Sequence, residues 1–304
     1  MTKCCLLIAS VMVLLASAGG VSALAQNCEL IKKAEFVVRP LGNIPIVRVR
    51  INGGAAEFLF DTGAERSIIT AAAAARLGAD VHYEYTRQMR SLGTAVSGGD
   101  AWLRNFDPGG IALSNFRILV GPVSLPSVEG KPIDGLLGAD FLSDYEVDLD
   151  LAHRRIILYS PSHCAIAAPA WSGGYATIEA NRSLHDRLFF LVRLDGHALA
   201  ALIDTGAQLT TLDAESAAAV GVTAAALTRD PMTILRGAAA EAVRSWAHRF
   251  AELQIDGELL RDRTIMVTRL GLQDADLVLG ADFLRWQRVW LSYATHRIFL
   301  ERHS

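Results

Sequence analysis

Two stretches of the chain share the same pattern of apolar and polar positions. In each stretch an alternating strand leads through a short turn into an apolar strand, and the turns are Asn52–Gly53 and Asp195–Gly196. Asn-Gly and Asp-Gly pairs between such strands are typical of β-hairpins. The apolar strands end in Phe58–Phe60 and Ala201–Ile203. The pattern therefore predicts a hairpin near the start of each of two similar halves.

Helical patterns are short and few in both halves. One runs over residues 71–77 and another over 213–220, where Asp213 supplies an acidic N-terminal cap. Two more short helices are predicted near Ala139 and Ala281, each followed by a final strand. The rest of each half has the character of strands and loops, so the sequence predicts two small, mainly β units. Units of this size often bury too little apolar surface to fold alone.

The two halves also repeat their motifs in the same order and at nearly the same spacing. The first motif is the loop Asp61, Thr62, Gly63 and Ala64 in the first half and Asp204, Thr205, Gly206 and Ala207 in the second. The second motif contains Leu137 and Gly138 in the first half and Leu279 and Gly280 in the second. The first motifs lie 143 residues apart and the second motifs 142 residues apart, so chance is a poor explanation.

Asp61 and Asp204 are the candidate catalytic residues. Two carboxyl groups brought together by a duplicated fold can share one proton, so that one acts as general base and the other as general acid. Such a pair requires neither a metal nor another cofactor. The eight histidines include no pair at the spacing of a zinc-protease motif. The sequence therefore predicts a site made of two carboxyl groups, with no metal and no cofactor.

The N-terminus has the pattern of a secretory signal peptide. A basic Lys3 precedes an apolar stretch over residues 6–16, and a small-residue cleavage site follows at Ala23–Ala25. The apolar stretch is too short to span a bilayer. We therefore expect an exported product, periplasmic or secreted, without stable membrane insertion after cleavage; an uncleaved anchor is the alternative. The predicted organisation is a signal peptide over 1–25, a first lobe over 26–159, a linker over 160–174 and a second lobe over 175–304.

The net charge bears on which molecules the protein could bind, and the cysteine content bears on whether it has a disulfide. The formal net charge of −3 gives no indication of a surface for nucleic acid or for an anionic membrane. Cys4 and Cys5 lie in the predicted leader, whereas Cys28 and Cys164 each lie ahead of one of the two sequence repeats. In an exported protein Cys28 and Cys164 form a candidate disulfide, with two free buried thiols as the alternative.

The repeated motifs resemble those of the retropepsin-like aspartic peptidases. In that family an Asp-Thr-Gly-Ala loop follows an apolar strand, and two apolar residues and a glycine follow later in the same domain. Here both elements occur twice and in register, and the resemblance extends from about Ile44 to the C-terminus. The chain looks like an exported bacterial member in which the two halves of the usual homodimer are fused.

The resemblance implies a fold and supporting roles for the loop residues. Each half would be a closed β-barrel of the acid protease type, and the two tandem lobes would form an intramolecular pseudo-dimer with the acid loops at its axis. In the family the threonines, here Thr62 and Thr205, hydrogen-bond across to the opposite loop. Gly63 and Gly206 would permit the tight turn and let N–H groups face the carboxylates.

A hinged hairpin, the flap, covers the substrate in this family. Residues 87–104 supply a candidate flap in the first half, with glycines as its flexible points. Residues 236–247 of the second half contain an alanine-rich run that is equally compatible with a helix. The sequence therefore leaves open whether one flap or two cover the cleft.

The predicted function is that of an aspartic endopeptidase, which hydrolyses a polypeptide substrate through a water activated by Asp61 and Asp204. Ala64 and Ala207 carry no hydroxyl, whereas many relatives that work in acid place Ser or Thr there. A hydroxyl hydrogen bond would stabilise the ionised carboxylate, so its absence should leave the dyad protonated to higher pH. Activity is therefore expected nearer to neutrality.

Two alternatives stay open at this point. One is a catalytically inactive peptide-binding or signalling module of the same fold. The other is a homodimer in which equivalent halves pair between chains, although pairing within one chain has the higher effective concentration and favours a monomer. Asp140 and Asp282, which follow the second motif, are interpreted as residues that begin or stabilise the short helices there.

Overall fold

Strands dominate the fold of this chain. The computed structural model describes residues 30–302, apart from residues 92–93, 124, 129, 161–167, 238–241 and 273, and in that part it contains 24 strands and five short helices. The side chains of residues 85–96, 128 and 131 also lie outside the description. The predicted leader over 1–25, both cysteines of the candidate disulfide (Cys28 and Cys164) and residues 161–167 of the predicted linker are therefore not described.

The first half contains strands β1–β13 and helices α1 and α2. Their bounds are β1 (Ile31–Val37), β2 (Arg39–Leu41), β3 (Ile44–Ile51), β4 (Gly54–Phe60), β5 (Ile68–Thr70), α1 (Ala71–Arg76), β6 (Asp80–Ser91), β7 (Thr94–Asp107), β8 (Leu113–Gly121), β9 (Ser127–Val128), β10 (Lys131–Pro132), β11 (Gly135–Leu137), α2 (Ala139–Leu142), β12 (Glu146–Asp150) and β13 (Arg155–Ser160).

The second half contains strands β14–β24 and helices α3–α5. Their bounds are β14 (Tyr175–Glu179), β15 (Asn181–Arg182), β16 (Leu188–Leu194), β17 (His197–Ile203), β18 (Thr211–Asp213), α3 (Ala214–Ala219), α4 (Ala224–Leu227), β19 (Met232–Arg236), β20 (Ala242–Ile255), β21 (Glu258–Thr268), β22 (Leu277–Leu279), α5 (Ala281–Leu284), β23 (Val289–Ser292) and β24 (Arg297–Glu301).

Each half closes into a barrel of six strands. In the first half, β3, β4, β11, β5, β8 and β7 form a ring, which is closed where Ile51 pairs with Phe106. In the second half, β16, β17, β22, β18, β21 and β20 form the equivalent ring, which is closed where Leu194 pairs with Leu253. The fold is therefore mainly β, with two tandem closed β-barrel lobes, as the sequence predicted.

The predicted hairpin turns are present in both barrels. Asn52 and Gly53 connect β3 to β4 with φ of 49° and 85°, and Asp195 and Gly196 connect β16 to β17 with φ of 46° and 84°. Two successive residues with positive φ give a turn whose twist matches that of the flanking strands. Asn, Asp and Gly adopt this conformation at low cost, which explains why these residue types occupy both turns.

The apolar strands that precede the first motif lie in the centre of the barrels. Phe58 and Phe60 of β4 are fully buried, and Ile203 of β17 is nearly so. Burial of one such side chain stabilises the fold by roughly 1.5–3 kcal/mol. Because this packing anchors the ends of both strands, the residues that follow them, Asp61 and Asp204, are held at fixed positions.

The predicted short helices are also present, and side chains cap two of them. The Thr70 hydroxyl accepts the N–H of Ala73 at 3.2 Å at the start of α1. The Asp213 carboxylate accepts the N–H of Glu215 at 2.9 Å at the start of α3, as its position in the sequence predicted. The longest of the described helices have six residues, so none of them is long and apolar enough to cross a membrane.

A six-stranded antiparallel sheet joins the two halves. Its strand order is β1-β13-β12-β23-β24-β14, so three strands come from each half. The junction is the pairing of β12 with β23, in which Val147 lies opposite Leu291 and Leu149 opposite Val289. All four of these side chains are buried. The two lobes thus form an intramolecular pseudo-dimer with a continuous apolar core.

The same junction contains an ion pair that bridges the halves. Asp148 of β12, which is 1% exposed, accepts two hydrogen bonds from the guanidinium of Arg288, at 3.0 and 2.7 Å. The Trp171 ring lies over that guanidinium at 4.8 Å, and its indole N–H points to Asp148 at 3.4 Å. Bidentate geometry and exclusion of water both strengthen such a pair.

We expect Arg288→Leu to lower the free energy of unfolding by about 3 kcal/mol, because Asp148 would remain buried without its cation. Chemical denaturation of the full chain measures this loss. Arg285→Leu removes an exposed arginine nearby and is expected to change the stability by less than about 0.5 kcal/mol. Equal stabilities of the two variants would contradict a structural role for the pair.

Both barrels carry a hairpin at the position where the family places its flap. In the first half it consists of β6 and β7, and in the second half of β19 and β20, where Leu235 pairs with Val243. Residues 242–247 lie in β20, so they are not helical, whereas most of the alanine-rich run, residues 238–241, lies outside the described part. The pairing of β19 with β20 over Met232–Arg236 shows that the second half also has a hairpin here.

Candidate active site

Asp61 and Asp204 lie at the ends of the matching strands β4 and β17. The N–H group of Asp61 donates to the carbonyl of Leu137 at 3.0 Å, and that of Asp204 donates to the carbonyl of Leu279 at 3.0 Å. The second motif of each half therefore fixes the backbone of the first. The structure brings the two carboxyl groups close enough for each to shift the pKa of the other.

Each carboxyl group is also held by the backbone of its own loop. In the first half, the N–H groups of Gly63 and Ala64 donate to Asp61 Oδ1 at 3.0 and 2.9 Å. In the second half, the N–H groups of Gly206 and Ala207 make the same bonds to the equivalent acid, at 2.8 and 3.1 Å. Oδ1 of each acid is therefore engaged by its own loop, whereas Oδ2 accepts none of these bonds.

Thr62 and Thr205 join the two loops through buried hydrogen bonds. The hydroxyl of Thr62 donates to the carbonyl of Ile203 at 2.7 Å, and that of Thr205 donates to the carbonyl of Phe60 at 2.5 Å. Each hydroxyl also accepts the N–H of the other threonine at 3.1 Å. This is the cross-loop arrangement that the resemblance implies, and it fixes the separation of the two acids.

Gly63 and Gly206 stand where the two loops approach each other most closely. The tight turn alone would accept another residue, because neither glycine has a positive φ. A Cβ added at Gly206 would lie 2.5 Å from Oδ2 of Asp61, and one added at Gly63 would collide with the carboxyl group of Asp204. Space for the opposite acid, rather than backbone freedom, is therefore what requires glycine here.

The second motif packs directly beneath each acid loop. An added Cβ at Gly138 or at Gly280 would lie 2.6 Å from the backbone of the loop above it. Leu137 and Leu279, which precede these glycines, are fully buried. The motif therefore combines an apolar anchor with a residue small enough to allow backbone-to-backbone contact.

Asp140 and Asp282 tie the two motifs together. Oδ1 of Asp140 accepts both the N–H and the hydroxyl of Ser67 at 2.7 Å, and Oδ1 of Asp282 accepts both groups of Thr210 at 2.8 Å. The same hydroxyls accept the N–H groups of the second-motif glycines, at 3.0 and 3.2 Å. Ser67 and Thr210 were missed from the sequence, because a repeat in which Ser alternates with Thr is hard to notice.

Burial raises the pKa of both acids, and the proximity of Asp204 raises that of Asp61 further. The pKa of Asp61 lies well above its ordinary value, first because of burial, then because of the charge of Asp204 and the hydrogen bond between them. Burial also raises the pKa of Asp204, although hydrogen bonds from the Gly206 N–H and from Asp61 partly oppose the increase. One carboxyl group thus keeps a proton at a pH where free aspartic acid would be ionised.

Two family profiles match the chain, one in each half. The family described as "Aspartyl protease" matches residues 47–141, and the family described as "gag-polyprotein putative aspartyl protease" matches residues 190–286. Each match contains one acid loop and the second motif that holds it. The chain belongs to the retropepsin-like aspartyl protease family. No curated protein matches it.

The two halves of this aspartyl protease differ in charge near the dyad. Arg187, whose side chain is 7% exposed, reaches from the second half to the carbonyl of Gly63 at 3.4 Å. It also forms ion pairs with Glu65 at 3.0 Å and with Asp274 at 3.4 Å. Arg187 was not predicted as a site residue, because no local pattern reveals a contact between residues 124 positions apart.

Metal ligation has no candidate group in the described part of this aspartyl protease. There, no set of three or more His, Cys, Asp or Glu side chains is arranged to hold an ion. What the pair of carboxyl groups offers is proton transfer, because one of them can accept a proton while the other donates one.

Proposed function

We propose that the protein is an aspartic endopeptidase that hydrolyses peptide bonds with a water activated between Asp61 and Asp204. The proposal rests on the contact between the two carboxyl groups, each of them held by backbone N–H groups of its own loop. Two carboxyl groups that share one proton supply a base and an acid at the same place. Both residues are only partly buried, so a water and a peptide can reach them.

In the proposed reaction the dyad begins with one proton. The ionised carboxylate takes a proton from the water while the water oxygen bonds to the scissile carbonyl carbon. The protonated carboxyl group gives its proton to the carbonyl oxygen, so a neutral tetrahedral species forms without a covalent bond to the enzyme. Collapse of that species breaks the C–N bond and passes a proton to the leaving nitrogen. The pair titrates as one unit.

An extended polypeptide is the proposed substrate. One hairpin rises from each barrel, β6–β7 from the first and β19–β20 from the second. Backbone groups at the edge of such a hairpin can pair with an extended peptide as an added strand. We propose that both hairpins act as flaps over a single cleft, which one chain forms because β12 and β23 join its two lobes.

Incubation of the purified protein with a peptide library, over a range from acidic to basic pH, tests the proposal. Mass spectrometry is expected to detect cleavage at internal peptide bonds by the wild-type protein and none by Asp61→Asn. A folded wild-type protein that cleaves no peptide at any pH would overturn the proposed activity. A purely peptide-binding role would then be the better explanation.

The raised pKa values of the dyad predict activity at higher pH than free aspartic acid would allow. Activity needs one proton on the pair, so it falls when acid adds a second proton and when base removes the first. Both limits move upward when burial raises the pKa values. We expect kcat/KM to be highest nearer to neutral pH, and a maximum confined to strong acid would contradict this.

A variant tests the cause of that pH dependence. Ala207→Ser would add a hydroxyl that can donate to the neighbouring carboxylate and stabilise its ionised form. The acidic limit of kcat/KM is therefore expected to move downward in this variant. An upward movement would show that the hydroxyl stabilises the protonated form instead.

A further inference from the structure

Arg187 is a buried cation beside the dyad. Its guanidinium lies over the ring of Phe189 at 5.3 Å and donates to the carbonyl of Gly63 at 3.4 Å. Its Nε has no hydrogen-bond partner. Burial of a guanidinium with an unsatisfied donor is unfavourable. Because little solvent reaches this group, water screens its charge only weakly.

Gly63 connects this charge to one of the two acids. The carboxyl group of Asp204 lies against the Cα of Gly63, where an added Cβ would collide with it. Arg187 binds the carbonyl group of the same glycine. Arg187 and the Asp204 carboxyl group therefore both lie against Gly63. A cation near an acid favours the ionised form of that acid.

The first half has no cation at the position that matches Arg187. Arg187 precedes Asp204 by the same interval as Ile44 precedes Asp61, so a buried apolar residue stands at the matching position. Nearby, the amide of Asn43 reaches the carbonyl of Gln208 at 3.5 Å. Gln208 matches Glu65 in the repeat. The charged residues Arg187 and Glu65 on one side of the pseudo-twofold axis thus correspond to the neutral residues Ile44 and Gln208 on the other.

We propose that Arg187 is a positioning residue that fixes the roles within the dyad, holding the negative charge on Asp204 and leaving the shared proton on Asp61. The inference rests on the proposed peptidase function and adds to it an assignment of base and acid. Two identical loops would otherwise share the proton without preference.

The assignment gives a balanced first step. Asp204 accepts one proton from the water, and the water oxygen forms a bond to the carbonyl carbon of the substrate. The π electrons of the carbonyl move to its oxygen, which takes the proton from Asp61. After this step Asp61 is ionised and Asp204 is protonated, so the dyad still holds one proton and can give it to the leaving nitrogen.

Other charged groups near Arg187 reduce, but do not cancel, the stabilisation that its charge gives to ionised Asp204. Glu65 and Asp274 pair with the guanidinium from two different loops, and His185 contacts Glu65 at 3.5 Å. Both carboxylates are partly exposed, so water screens them more than it screens Arg187. Consistently, the charge of Arg187 lowers the pKa of Asp204 against the increase due to burial.

The first test compares the pH dependence of kcat/KM in Arg187→Gln, Arg187→Lys and the wild type. Loss of the cation raises the pKa of Asp204, so the second proton binds at higher pH and activity falls sooner on acidification. We expect the acidic limit to move upward by about one pH unit in Arg187→Gln. It should stay near that of the wild type in Arg187→Lys, which keeps the charge.

Arg193→Gln is the matched control, because it removes an exposed arginine from β16 and leaves the dyad untouched. Its pH profile should equal that of the wild type. A merely structural role of Arg187 would lower activity or stability alike in the Gln and Lys variants without moving the acidic limit. That result, or an unmoved limit in Arg187→Gln, would overturn the inference.

A second measurement does not depend on turnover. In NMR titrations of protein with ¹³C-labelled aspartate carboxyl groups, assigned with Asp61→Asn and Asp204→Asn, the Asp204 signal should titrate at lower pH than that of Asp61. The reverse order in the wild type would overturn the inference, even if Arg187→Gln did not fold. The predicted order in a protein without peptidase activity would refute the proposed function and leave the charge assignment supported.

Discussion

Asp61→Asn and Asp204→Asn are each expected to lower kcat for peptide hydrolysis by at least about 10³-fold. Asparagine has nearly the shape of aspartic acid and can accept the N–H groups of the loop, but it cannot exchange a proton. Either substitution therefore removes one of the two proton-transfer groups while the loop geometry is kept. Steady-state kinetics on a cleaved library peptide measure the loss.

Both variants should remain folded. Each replaces one of two neighbouring acids whose pKa values are raised in the folded protein, so at neutral pH the free energy of unfolding is expected to be unchanged or slightly higher. Asp262→Asn is the matched control. Asp262 lies on the surface, where it pairs with Arg249 at 2.9 Å, and its φ of 53° is one that asparagine tolerates. This control should retain the wild-type kcat.

The size of the loss separates the alternatives. A binding module would keep its affinity for peptide in both variants and would show no turnover to lose. A homodimer that pairs equivalent halves would contain one Asp61 pair and one Asp204 pair, so each single variant would keep about half of the activity. Retention of more than about 1% of the wild-type kcat in either variant would contradict a single dyad built from both halves.

Gly206→Ala is expected to lower kcat/KM by at least about 10²-fold, although it changes no group that transfers protons. The added Cβ would lie 2.5 Å from Oδ2 of Asp61, well inside van der Waals contact. The carboxyl group must therefore move away from its partner, and a displacement of about 1 Å is enough for a loss of this size. The same kinetic assay measures the effect.

Gly174→Ala controls for the loss of a glycine as such. No heavy atom lies within 4 Å of a Cβ built at Gly174, so this variant should have wild-type activity. If Gly206→Ala kept kcat/KM within about threefold of the wild type while remaining folded, the close approach of the loops would not be a requirement for activity.

Much of the fold follows from local patterns that the chain repeats. The turns at Asn52–Gly53 and Asp195–Gly196 need residues that accept positive φ. Asn, Asp and Gly do so, and their presence in the sequence therefore predicts the hairpins. The short helices after each motif begin at a cap or at a glycine, and both signals are local. A single acid loop would not have indicated a dyad. Because the chain contains two such loops at matching positions of a repeat, the sequence predicts that the two acids meet.

Other features of the site arise from contacts between distant parts of the chain. Arg187 touches Gly63 across 124 residues, and its position carries no sign of that contact in the sequence. The role of Asp140 depends on Ser67, 73 residues away. The second flap was uncertain because helix propensity and strand pairing oppose each other there, and only the pairing partner, Met232–Arg236, decides between them.

The central claim is that a single chain builds one dyad from its two halves, and the most direct test is the activity of an equimolar mixture of Asp61→Asn and Asp204→Asn chains. We predict that the mixture is as inactive as either variant alone, because each chain keeps its defect within its own site. Recovery of a substantial fraction of wild-type activity on mixing would show that Asp61 of one chain pairs with Asp204 of another, and would contradict the claim.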